Sequence, residues 1–256
     1  MAVAQACAAL AREIIRRAFG DGPAISVKGN RNIVTETDVA VERAVHEILA
    51  REFPEHAILS EETAADTRSA GWMWVCDPVD GTKNFAQGIP HFAFSIALCY
   101  DEVPRLGLTL HPLLDWEFRA ERGGGCWLNE RRVTVSGRAS LAESVVSVDL
   151  GFDDLRGGQQ LELSRALWTK VQGIRTSSSA ALGFAFAAAG KWDAYIHRQL
   201  SPWDSAAGIV LVEEAGGAVS DLEGNPASIY SEAVVCGTPA VQRELRLLAE
   251  RVSGRA

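Results

Sequence analysis

Residues 71–85, GWMWVCDPVDGTKNF, constrain this chain more than any other stretch. An apolar run ends in Asp77 and Asp80, with only Pro78 and Val79 between them. Carboxylates resist burial and repel one another. A buried strand that ends in two of them, then turns at once through Gly81, calls for a cation at its end. Ligand sites in α/β architectures gather at the carboxyl ends of strands and at helix N-termini. Three more apolar segments end in acids: NIVTETD at Asp38, AILSEE at Glu61 and Glu62, and SPWD at Asp204. Their oxygens are hard ligands, which favour Mg²⁺, Mn²⁺ or Ca²⁺ over zinc.

On a tight turn Asp77 and Asp80 are close enough to share one ion, and Asp77 could bridge to a second. Pro78 stiffens that turn. Gly81 permits a backbone approach that a side chain would block. Gly81 and Thr82 would then stand at a helix start, where outward N–H groups suit a phosphate, and Thr82 adds a hydroxyl. Each motif also has a plain reading. Asp38, Asp204 and the Asp80-Gly81-Thr82 tripeptide fit ordinary caps or turns, and Glu61 and Glu62 fit surface charge. Their joint placement at strand ends is what points to a metal site.

The rest of the chain predicts the frame around those acids. MAVAQACAALAREIIRRAF reads as an amphipathic helix through Val3, Cys7, Leu10, Ile14 and Phe19. It does not read as a signal peptide, because Arg12, Glu13, Arg16 and Arg17 interrupt it. VKGNRNIVTETD reads as a turn and short strand, and residues 39–53 as a helix with Val41, Val45, Ile48 and Leu49 on one face. AILSEE and GWMWVCDP come next as strands. Residues 92–123 predict an antiparallel meander, and GGGCWLNERRVTVS a hairpin turning near Asn129. The triple glycine 123–125 lacks the GK[ST] ending of a phosphate loop and reads as a hairpin turn.

From residues 136–142 onward the pattern alternates strand and helix. A strand at 145–150 leads to a helix over 159–171 and a short strand near Ile174. SSSAALGFAFAAAG is a small-residue helix with a serine start, WDAYIH a strand, and SPWD opens an apolar helix. GAVSD and EAVVCG are strands before a terminal helix. Two halves that share layers are expected: residues 1–138, α+β, with most of the candidate metal ligands, and residues 139–256, α/β, with Asp204.

Composition excludes other classes. No run approaches 18 uninterrupted apolar residues, so no membrane span is expected. The net charge of -8 argues against a nucleic-acid binder. It does not oppose a small phosphorylated substrate if a cation bridges the two. The five cysteines are scattered, with no CxxC, and fit free thiols in a reducing cytoplasm. The five histidines show no metal-ligand spacing.

SEE, DPVDGTKNF and PWDSAAGIVLVEEAGG, with KGNRNIVTETD upstream, resemble the inositol monophosphatase family of Mg²⁺-dependent, lithium-sensitive phosphatases. The likeness runs in order from about Lys28 to Gly237. It implies a five-layered αβαβα sandwich, usually a homodimer. It also implies roles at matching positions. Glu61, Asp77 and the Val79 carbonyl would hold one Mg²⁺. Asp77, Asp80 and Asp204 would hold a second, and Glu61 with waters a third, weaker ion. Mn²⁺ is a possible substitute and Li⁺ the expected inhibitor. Asp38 and Thr82 would orient the attacking water, with Glu62 beside them, and Gly81 and Thr82 would receive the phosphate. Metal ions lower the pKa of bound water and stabilise leaving oxygens, so no side-chain nucleophile is needed, and no GxSxG offers one.

Substrate contacts implied by the likeness are Asp80, Ser178, Ser179, Ala180, His197 and Arg198. His197 stands where many inositol monophosphatases hold a glutamate that helps bind inositol hydroxyls. Ser178 and Ser179 also fit a helix cap, and His197 a strand-end surface residue. The implied activity is hydrolysis of inositol 1-phosphate or a similar polyol or sugar phosphate. Histidinol-phosphate, fructose-1,6-bisphosphate and 3′-phosphoadenosine 5′-phosphate phosphatases are alternatives on the same scaffold. A non-catalytic regulatory module is the alternative of another class.

Overall fold

The structure, a computed structural model, describes residues 1–21, 25–29, 32–63 and 70–254. Among these the chain opens with α1 (Ala2–Asp21), the strands β1 (Ile25–Gly29) and β2 (Asn32–Thr35), and α2 (Glu36–Glu52). Then come β3 (Ala57–Ser60), β4 (Trp72–Asp80), the short α3 (Thr82–Ala86), β5 (Ala93–Tyr100) and β6 (Val103–His111). β7 (Trp116–Glu121), β8 (Gly125–Leu128) and β9 (Arg131–Val133) complete the first part. The second part holds β10 (Val145–Val148), α4 (Asp154–Leu167), β11 (Gly173–Arg175), α5 (Ala180–Ala188) and β12 (Ala194–His197). It ends with α6 (Pro202–Glu214), β13 (Ala218–Ser220), β14 (Val234–Gly237) and α7 (Pro239–Val252).

β3 to β9 form a seven-stranded sheet in sequence order, parallel only between β3 and β4. The second sheet has the order β11-β10-β12-β14-β13 and mixes parallel with antiparallel pairs. Helices alternate with these sheets to give five layers, αβαβα. Trp74 and Cys76 of β4 join the apolar cluster with α1 and α2, while Met73 and Val75 face the cluster that holds α5 and α6. Both faces of the strand are covered, which is why WMWVC is continuously apolar. On the second sheet Tyr195 and Cys236 face α5 and α6, whereas Ala194, Ile196 and Val235 face α4 and α7.

The middle helices are built from small residues because two sheets press on them. α5 is buried at every position except Phe186. Gly208 of α6 lies where a Cβ would fall 2.3 Å from Phe184 Cγ, so only hydrogen fits between the two helices. All five cysteines are reduced and buried, with Cys7 and Cys76 in the α1/α2 cluster and Cys99, Cys126 and Cys236 in the central one. No helix among the described residues is long and apolar enough to cross a membrane.

Several sequence expectations shift. α1 buries Ala4, Cys7, Ala8, Ala11 and Ile15, while Val3, Ile14 and Phe19 only flank the contact and Leu10 stays half-buried outside it. Small alanines let the helix sit close to the sheet, and the larger side chains spread sideways. α2 starts at Glu36 and not at 39, because Thr35 is its cap. α4 spans 154–167 and not 159–171, because the Asp153 side chain accepts from the Arg156 N–H at 2.8 Å and starts the helix ahead of the Gly157-Gly158 pair. The triple glycine is a hairpin turn between β7 and β8, tied down by Glu214, which accepts from the N–H groups of Gly123 and Gly125 at 2.8 Å each.

Candidate active site

The acids converge where three segments meet. β4 pairs with β5 up to Asp77 and Ser95, then again at Asp80 and Ala93, so the register slips between them. This bulge brings both carboxylates to one side of the strand end. The third acid arrives on a helix. Asp204 is the third residue of α6, and its Oδ2 reaches back to accept from the Ser201 N–H at 2.6 Å. Asp38 repeats the device on α2: its Oδ2 accepts from the Thr35 N–H at 2.9 Å and from the Thr35 hydroxyl at 2.5 Å. Neither aspartate is itself the N-cap; Ser201 and Thr35 are. The sequence marks both as Ser/Thr-x-x-Asp, a capping box with a shorter acid.

Carboxylate oxygens of Asp77, Asp80 and Asp204 lie within 4.8 Å of one another. Glu61 lines the same crevice. Burial, and then the charges of Glu61, Asp80, Asp204 and Asp38, push the Asp77 carboxyl far above the usual range. Burial, and then Asp80, does the same to Asp204. Burial raises Asp80 to about 6, although Ser179, Ala181 and Ala180 donate to it. Asp77 Oδ1 is fully buried and has no hydrogen-bond partner. A buried carboxyl oxygen without a donor, on a residue set beside two more acids, fits a hard divalent cation.

The crevice encloses about 430 Å³. Its floor holds Asp77, Val79, Asp80, Gly81 and Thr82; its walls include Ser178, Ser179, Ala180, His197 and Asp204. Gly81 has φ +89°, and a Cβ there would meet the Ser178 carbonyl at 3.1 Å, so glycine is required twice over. Thr82 begins α3, and its hydroxyl donates to the Val79 carbonyl at 3.0 Å. Asp38 Oδ1 lies 3.4 Å behind that hydroxyl. Asp38 does not itself line the crevice; burial raises its carboxyl to about 6. Glu62 also stands outside the lining, with its N–H donating to Glu42 at 2.9 Å.

Ser179 caps α5, and its hydroxyl also donates to Asp80 Oδ2. The Ala180 and Ala181 N–H groups donate to Asp80 at 3.0 Å each. His197 Nδ1 accepts from the Gln199 N–H at 2.9 Å, which leaves the ring proton on Nε2. Burial, and then Arg156, lowers its pKa to about 4, so the ring is neutral. Arg198 turns away from the crevice. Its Nε donates to Gln160 Oε1 at 3.0 Å and its Nη2 to the Ala249 carbonyl at 3.2 Å. Sequence reading missed Asp149, which lines the crevice just after β10. The signal was present: VVSVD is another apolar run that ends in an acid.

A five-layered sandwich with a carboxylate cluster suited to a metal ion at the junction of its layers is the class that fold and site define. The profile of the inositol monophosphatase family matches residues 1–254. The chain belongs to that family, whose members are metal-dependent. The chain is 39% identical over 243 residues to Nus factor SuhB of Pseudomonas aeruginosa, covering 92% of this chain and 90% of that one. It is 38% identical over 231 residues to an inositol-1-monophosphatase of Rhizobium meliloti, covering 89% and 86%. The crystal structure of the extragenic suppressor protein suhB from Bartonella henselae superposes with a TM-score of 0.92 at 33% identity, covering 98% of both chains.

Proposed function

We propose that this protein is an Mg²⁺-dependent phosphomonoesterase that hydrolyses inositol 1-phosphate or a similar polyol or sugar phosphate. The observation that carries the reading is the meeting of Asp77, Asp80 and Asp204 from distant parts of the chain, with Asp77 Oδ1 left partnerless. Glu61, Asp77, the Val79 carbonyl, Asp80 and Asp204 would hold the ions. When bound, divalent ions supply an activated water and neutralise charge on the phosphoryl oxygens.

The chain's own groups do the rest. Thr82, with Asp38 behind it, orients the attacking water, and Glu62 adds its charge near Asp38. Backbone N–H groups of Gly81 and Thr82 receive the phosphate. Ser178, Ser179 and Ala180 face the leaving group, and His197 offers a neutral Nε2–H donor to a hydroxyl. Asp80 meets the α5 N-terminus as well, so it ties the metal centre to the substrate wall. Arg198 takes no part in this reading, since it points elsewhere. The buried thiols suit a cytoplasmic location, and the family likeness suits a homodimer.

Phosphate release measured over a panel of inositol 1-phosphate, histidinol phosphate, fructose 1,6-bisphosphate and 3′-phosphoadenosine 5′-phosphate tests the reading and ranks substrates by kcat/KM. Activity should require Mg²⁺, fall with Li⁺ and vanish in Asp80→Asn. Full activity in that variant would sink the assignment. A second reading rests on the relative named Nus factor: the fold serves as a protein-binding module. Calorimetry separates the two, because a module that has lost catalysis binds little Mg²⁺.

A further inference from the structure

The turn 177–179 forms part of the substrate wall, and its shape is unusual. Ser178 has φ +56°, a left-handed conformation that a serine adopts only when held. What holds it is Asp149, which is 2% exposed. Its Oδ1 accepts from two consecutive N–H groups, Ser177 at 2.6 Å and Ser178 at 2.8 Å. Its Oδ2 accepts from the Tyr195 hydroxyl at 3.1 Å. The backbone of Asp149 is fixed as well: its N–H donates to the Ile196 carbonyl at 3.3 Å, and its carbonyl accepts from Gln160 Nε2 at 3.0 Å. Two charge-assisted bonds to a carboxylate outweigh the strain of one left-handed residue.

That kink aims the next three residues at the metal centre. The Ser179 hydroxyl and the N–H groups of Ala180 and Ala181 all reach Asp80. The Ser178 carbonyl lies over Gly81. The far side of the turn is held too. Ser177 Oγ meets His91 Nε2 at 2.9 Å, and the Ser177 carbonyl accepts from Asn84 Nδ2 at 2.9 Å. Asn84 and His91 stabilise the turn's position; the two bonds from Asp149 set its local conformation.

We propose that Asp149 is a positioning residue of the crevice, acting through the Ser177–Ser178 turn on Asp80 and on the wall that faces the substrate. The kinetic arm of this proposal rests on the phosphatase reading. Asp149→Ala removes the acceptor; Asp149→Asn keeps an oxygen that accepts both N–H groups. With inositol 1-phosphate and Mg²⁺, the alanine variant should raise KM about tenfold, the worth of one such bond. Asparagine should restore KM to within about threefold. A role confined to fold stability would lower the active fraction, and hence kcat, with KM unchanged.

Amide NMR of the full chain supplies the arm that needs no turnover. The Ser177 and Ser178 N–H signals should move and exchange faster in Asp149→Ala, and stay near wild type in Asp149→Asn. If the alanine variant does not fold, Asp149→Ser, too short to reach both N–H groups, takes its place. Unchanged amide signals, or an asparagine variant as impaired as alanine, would overturn the proposal. If the wild type releases no phosphate from any substrate while the amide signals respond as stated, the phosphatase reading fails and the positioning role stands.

Discussion

Replacing Gly208 with alanine should injure both stability and catalysis, and the structure gives the size of each effect. The new Cβ would stand 2.3 Å from Phe184 Cγ, about 1.1 Å short of ordinary contact, which begins at 3.4 Å. Phe184 cannot retreat, because it is fully buried with its ring 5.4 Å from that of Tyr195. Overpacking of this kind costs about 1–3 kcal/mol, and a contact so short belongs at the upper end. Alanine's better helix propensity offsets about 1 kcal/mol, leaving a net loss of about 2 kcal/mol. For a chain of this length that lowers Tm by about 4–8 °C. The alternative to strain is a shift of α6 by about 1 Å, which moves Asp204 one turn away. A misplacement of that size costs about a hundredfold in rate. Gly158→Ala on α4 is the control, since a Cβ there meets nothing within 4 Å; it should raise Tm slightly. Calorimetric melting and Mg²⁺-dependent phosphate release measure both quantities. A Gly208→Ala protein with wild-type Tm and kcat would refute the account of the α5–α6 contact.

The carboxylates lead to two further outcomes. Asp77→Asn removes a buried carboxyl whose ionisation burial, and then four neighbouring acids, oppose, so the metal-free variant should melt above the metal-free wild type while losing Mg²⁺-dependent turnover; a lower Tm would contradict this reasoning. Saturating Mg²⁺, at about a hundredfold excess over its Kd, should stabilise the wild type by about 2.7 kcal/mol, or about 5–10 °C. The increment depends on pH with a definite sign. The Asp80 carboxyl is raised to about 6 from 3.8, so the metal-free fold binds the extra proton between those values. Its stability from this group therefore falls as pH rises through that window, and below it protons compete with the ion. Burial raises Asp77 and Asp204 well above the usual range too, so the Mg²⁺-induced rise in Tm should grow as pH rises through and beyond that window and fade on acidification; scanning calorimetry at several pH values, with and without Mg²⁺, reads it directly.

The proposed metal ligands were legible because each sits at the end of a local pattern, an apolar run closed by an acid. That rule needs no knowledge of which segments meet. Asp149 escaped it, although VVSVD has the same form as WVCD. Arg198 illustrates a different limit. Successive residues along a strand point to opposite sides, so at the end of β12 His197 and its neighbour could not both reach the crevice, and only the packing of α4 and α7 shows which one does. The start of α2 slipped by a few residues for a similar reason: Thr35 caps the helix with help from Asp38, which looks like the cap in the sequence, as Asp204 does beside Ser201 on α6. The buried stripe of α1 was hidden because large side chains suggest burial, whereas a helix pressed on a sheet places its smallest residues at the contact.

The distribution of the five thiols has a practical use. Burial pushes the Cys7, Cys99 and Cys126 thiols to about 12 and those of Cys76 and Cys236 higher still. Alkylating reagents, which attack the thiolate, can reach them only when a seam between layers parts. Cys7 and Cys76 time the breathing of the outer helical seam, and the other three time the central one. The native chain thus carries its own clock for local opening, readable by mass spectrometry without an engineered label.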